Sequence, residues 1–95
     1  MSEVEANEPN AHREQIARVR MLIREIELAQ NLIDQAITAS DPDAVLVNIV
    51  NAEQIVSKLE QALPKVELTN EQRTDICELV ASQRAMLNAF YNRNA

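Results

Sequence analysis

Cys77, His12 and the acidic pairs Glu25/Glu27 and Asp41/Asp43 are the side chains here whose types could do chemistry. A metal site needs several ligands converging on one point, and no Glu-x-x-His or His-x-x-His spacing surrounds the single histidine. His12 therefore reads as solvated. Glu25 and Glu27 are two residues apart in a helical pattern and do not face each other. Asp41 and Asp43 are accounted for as a helix start. Cys77 has no second cysteine to bridge with and reads as a small, half-buried filler on the flank of a helix. Glycine is absent, so neither a P-loop nor a dinucleotide fingerprint can be written. A general acid needs a dry pocket, which a small aliphatic helical bundle rarely encloses. The expectation is a protein that is not an enzyme, with no catalytic residue, no metal and no cofactor.

The arginines offer binding rather than catalysis. Arg13, Arg20 and Arg24 fall within about 40° of one another on a helical wheel, a basic stripe on the outer face of the first helix. Glu27 flanks it, and Glu14 with Arg18 makes an ordinary i, i+4 pair. The stripe suits an acidic partner or the chain's own acidic start, though a solvated face is the commoner meaning of such a run. Nucleic acid is not expected as a partner, because the stripe has no lysine and no aromatic on which a base could stack.

These residues must be positioned by helices. The stretch SDPDAVLVNIVNAEQIV (40–56) alternates only as far as Ile49, whereas Val45, Ile49, Ala52, Val56, Leu59 and Leu63 recur at threes and fours. Asp41 suits the N-cap, Pro42 the first helical position and Asp43 the positive end of the dipole. Ile16, Val19, Leu22, Ile26, Ala29, Ile33 and Ile37 form the seam of a first helix over about 10–39. The second helix runs over about 42–63 and ends before Pro64. Thr69 with Gln72 is a capping box opening a third helix over about 70–92. Its seam is Ile76, Leu79/Val80, Gln83, Met86/Leu87 and Phe90. Short links make neighbours antiparallel. The predicted fold is all-α, an up-down-up three-helix bundle over 10–95 behind a disordered acidic tail over 1–9. By rise per residue the first helix outreaches the others, so its start around 12–17 should overhang.

Composition agrees with one small soluble domain. The chain has 95 residues, 46% of them hydrophobic, and a net charge of −6, half of which sits in residues 1–10. MSEVEANEPN is acidic without an apolar run, so no secretory signal is expected, and no stretch approaches a membrane span. The expected location is cytoplasmic, with no membrane partner.

The strongest functional signal is surplus apolar surface. Met21, Leu28 and Leu32 fall off the first seam, and Leu46, Val47 and Val50 point away from the second. Leu28, Leu32, Leu46, Val47 and Val50 should gather toward one end, joined by Met86, Phe90 and Tyr91, and a bundle this small cannot bury them all. On the third helix Ala81, Ser82, Ala85 and Ala89 leave a small-residue outer face, as good helix formers commonly do.

A long first helix, an aspartate-started second helix around DAVLVNIVNAEQIVSKLEQAL, a proline-bearing link and a capped third helix together resemble the small all-helical export chaperones of flagellar and type III secretion systems. The resemblance covers most of the chain as a pattern of elements. It implies a cytoplasmic protein presenting an apolar groove to an amphipathic helix of a secreted subunit. The leading expectation is thus a non-enzymatic interaction module, an adaptor or export-chaperone-like protein. It would bind another protein's helix through Met21, Leu28, Leu32, Leu46, Val47 and Val50, with Arg20 and Arg24 at the edge. The alternatives are a structural homo-oligomer, such as a helical homodimer using the same surface, and an acidic inhibitor imitating nucleic acid.

Overall fold

The computed structural model describes the backbone of residues 2–94 and the side chains of residues 12–93. It is all-α: helix α1 spans Ser2–Thr38, α2 spans Pro42–Ala62 and α3 spans Asn70–Asn94, with a 3-10 turn at Leu63–Lys65 after α2. Among the described residues there is no strand, so 45–50 is helix. The backbone of α1 continues back to Ser2 through the segment expected as a tail. The side chains of residues 1–9, on which that expectation falls, lie outside the described residues.

Cross-helix bonds set the directions. Gln15 donates to Gln72, and Gln83 donates to the Ile26 carbonyl; each pair is separated by 57 residues, so α1 and α3 run parallel. Arg84 of α3 reaches Ser57 while Arg73, one end nearer, reaches Leu63, so α3 is antiparallel to α2. The topology is up-down-up. Gln15 and Arg18 already meet Gln72 and Glu67, so the overhang of α1 lies before Gln15 rather than across 12–17.

Both chain reversals are made without a left-handed residue. Among the described residues no φ is positive. Asp41 turns the chain in an extended conformation (φ −82°, ψ 120°) and its carboxylate accepts the Asp43 N–H at 3.2 Å, the expected N-cap with Pro42 behind it. The second reversal uses the 3-10 turn and then Val66, again extended (φ −92°, ψ 135°). Here the capping box forms as expected: Gln72 N–H donates to Thr69 Oγ1 at 3.1 Å, and Thr69 N–H to Gln72 Oε1 at 3.0 Å.

The core is built from Leu22, Ile26, Ala29, Ile33 and Ala36 on α1, and Ile49, Ala52, Val56 and Leu59 on α2 with Leu63 beyond it. Ile76, Val80 and Leu87 complete it from α3, and Gln83 is buried beside them. The spacings alternate three and four, which keeps a seam facing its neighbour in nearly parallel packing. Ala29 and Ala52 are fully enclosed, which places α1 and α2 at close approach. Three expectations need correction. Ile16, at the head of the expected α1 seam, is 38% exposed. The α1 seam continues to Ala36, not Ile37, which is 61% exposed; the seam steps by three there, and a step of four carries the side chain off the contact. Leu79 and Met86 lie outside, and Val80 and Leu87 are the inward members of those pairs.

Candidate protein-binding surfaces

Two apolar regions of the bundle hold the side chains singled out in the sequence. The first lies between α1 and α2. Met21, Leu22, Ile55, Leu59, Ala62 and Val66 line a groove of about 360 Å³, with Arg18, Glu25 and Lys58 on its rim. No α3 residue lines it, so it opens on the face of the α1–α2 hairpin that α3 leaves uncovered. Met21, 65% exposed, stands at its edge and also borders the shallow hollow of Arg13, Ile16, Ala17, Arg20 and Arg24. The arginine stripe is thus one surface, as its spacing predicts, and it adjoins the groove. Leu28, 48% exposed, and Leu32 continue the Met21 side of α1 at steps of seven and four. The opposite flank of α1 turns to α3, as Gln30 does where it meets Met86. Leu32 is half-buried and packs on the core, so it contributes less free surface than the sequence suggests.

The second region is on α2. Leu46 (60% exposed), Val47 (56% exposed) and Val50 cover its first two turns. Leu46 joins Pro42, Val45, Ile49, Phe90 and Tyr91 in a cleft between α2 and α3. Leu46 and Ile55 are nine residues apart, about two and a half turns, and so lie on opposite sides of α2. The expected single patch is therefore divided. Met21 lines the hairpin groove, with Leu28 and Leu32 farther along that side of α1 and Arg20 and Arg24 in the adjoining hollow, whereas Leu46 lines the α2–α3 cleft and Val47 and Val50 stand exposed beside it on α2. Ile37 stands exposed at the same end of the bundle as the second group, although its spacing in the sequence places it in the α1 seam.

Polar side chains hold α3 against this frame. Arg73 donates from its two terminal nitrogens to the Leu63 and Val66 carbonyls, both at 2.6 Å, at the negative end of α2 where a glycine cap would otherwise serve. Arg84 makes a two-point contact with Glu60 (Nε–Oε2 3.0 Å, Nη2–Oε1 2.7 Å), pairs with Glu53, and donates to the Ser57 hydroxyl at 3.2 Å. The hydrogen bond from Arg84 holds the Glu60 carboxyl below its usual range, and Glu60 in turn raises the already high Arg84 value. Burial, with the nearby Glu53 charge, pushes the Tyr91 hydroxyl up. Gln83 donates to the Ile26 carbonyl at 2.7 Å, but its Oε1 is enclosed without a partner. No local pattern announces the two arginines: Arg73 reaches back seven and ten residues, and Arg84 more than twenty.

Among the described residues no three His, Cys, Asp or Glu side chains converge as metal ligands. His12 is exposed as expected, while Cys77 is exposed rather than half-buried. Ala81, Ser82, Ala85 and Ala89 are all outward. Among the described residues no helix is long and apolar enough to cross a membrane. No family model, curated protein or solved structure matches the chain.

Proposed function

We propose that this protein is a non-enzymatic helical interaction module of the cytoplasm, an adaptor or export-chaperone-like protein that seats a partner's amphipathic helix on its α1–α2 hairpin. The observation carrying this reading is the groove on the hairpin face away from α3, with Met21 exposed at its edge and Leu28 exposed farther along the same side of α1. Arg18 to Glu25 and Ile55 to Ala62 each span about two helical turns, room for two or three leucine-sized side chains of a docked helix. Met21→Glu with Leu28→Glu tests it. Both side chains are exposed, so circular dichroism and the melting temperature should stay near wild type while binding of a leucine-faced helical peptide is lost. Retained binding by the folded double variant refutes the groove as the docking place.

A second reading, self-association into a homodimer, is supported by Leu46, Val47 and Val50. Three neighbouring apolar side chains exposed on successive turns form the kind of surface that copies cover by two-fold pairing. Light scattering across concentrations tests it: a dimer that Leu46→Glu and Val50→Glu convert to monomer supports pairing there, and a wild-type monomer at high concentration removes it.

A further inference from the structure

Resting on the docking reading above, we infer that the helix received by the hairpin face is acidic along its flank, and that Arg20 and Arg24 select it. The chain as a whole is acidic, at −6, yet its charge is unevenly placed around this groove. Arg20 and Arg24, with Arg13, stand beside Met21 on one edge, and Arg18 and Lys58 stand on the rim itself. Glu25 is the acid lining the groove. Arg18 is loosely matched within the chain: its contact with Glu67 is long, at 4.0 Å, to a carboxylate whose side chain is 93% exposed, and its own side chain is partly open to solvent. Charge-assisted bonds to a visiting carboxylate would complete it. A basic edge beside apolar side chains also fits an anionic membrane, but two features favour a helix. The apolar part is a hollow between two helices rather than a projecting ridge, and the net negative chain is repelled by an anionic leaflet.

The test uses the full chain with three probes. One is a designed 18-residue amphipathic helix with leucines on one face and glutamates flanking them, the second is the same helix with lysines in place of the glutamates, and the third is vesicles containing anionic phospholipid. The glutamate helix should bind, and about tenfold more weakly on adding 0.5 M salt or on changing Arg20→Glu with Arg24→Glu, since each exposed ion pair contributes modestly. The lysine helix should bind at least tenfold more weakly than the glutamate helix to the wild type and regain affinity for the double variant. Equal binding of both helices, lost in Met21→Glu, overturns the charge selection while leaving the docking site in place. Binding of neither helix overturns both. Binding of vesicles in preference to the glutamate helix overturns the acidic helix in favour of a membrane surface.

Discussion

Arg73 is the side chain whose loss should reveal most about how α3 is held. Its guanidinium makes two 2.6 Å bonds to carbonyls at the end of α2, half-sheltered from water. Hydrogen bonds to charged groups contribute about 1.5–3 kcal/mol each, and water can re-enter this site in part. Arg73→Met, which keeps the aliphatic stem, should therefore cost about 2–3 kcal/mol. For a domain of this length that lowers the melting temperature by roughly 10–20 °C. Arg73→Lys, able to reach one carbonyl at a time, should recover about half. The penalty should hardly change between 0.05 and 0.5 M salt, because the acceptors are neutral backbone groups rather than opposite charges. Thermal melts of the three proteins at both salt concentrations suffice. A Met variant within about 2 °C of wild type, or a penalty that disappears in salt, refutes the capping argument.

Other outcomes follow from the same contacts. Glu60 is held below its ordinary value by Arg84, so its stabilising share is complete above about pH 4.5 and is lost as pH falls through the lowered value; Arg84→Met should flatten that acid limb of the stability curve in denaturant titrations. Gln83→Leu removes an enclosed oxygen without a partner but also the buried bond to the Ile26 carbonyl, so the two effects should nearly offset and stability should stay within about 1 kcal/mol of wild type, read from the urea midpoint. Ile37→Glu should leave the fold intact, whereas Ala36→Glu should unfold it by circular dichroism; the reverse order would restore Ile37 to the core. Leu87→Ala, at a fully enclosed site, should cost about 2–5 kcal/mol.

The helices, both caps and most of the core were legible because each depends on neighbours in sequence. Asp41 and the Thr69–Gln72 box bond within three residues, and seams at threes and fours are local periodicity. Where two apolar side chains sit side by side, periodicity alone cannot choose between them, and Ala36 over Ile37 is decided by which one the facing helix admits. The contacts of Arg73 and Arg84 with α2 were invisible for a different reason: they need the third helix already in place. The exposed apolar surface was half legible. Its residues stood out as surplus, but their division between two sides of the bundle follows from where α3 lies, and that depends on packing.

Enclosed alanines, Ala29 on α1 and Ala52 on α2, let those two helices pack closely, while α3 attaches through four enclosed side chains, one of them a glutamine, and two arginine straps. Stability is then graded across the molecule. In hydrogen exchange α3 amides should open ahead of the hairpin's, as a separate cooperative unit. A visitor on the far side would meet walls that stay standing while α3 breathes.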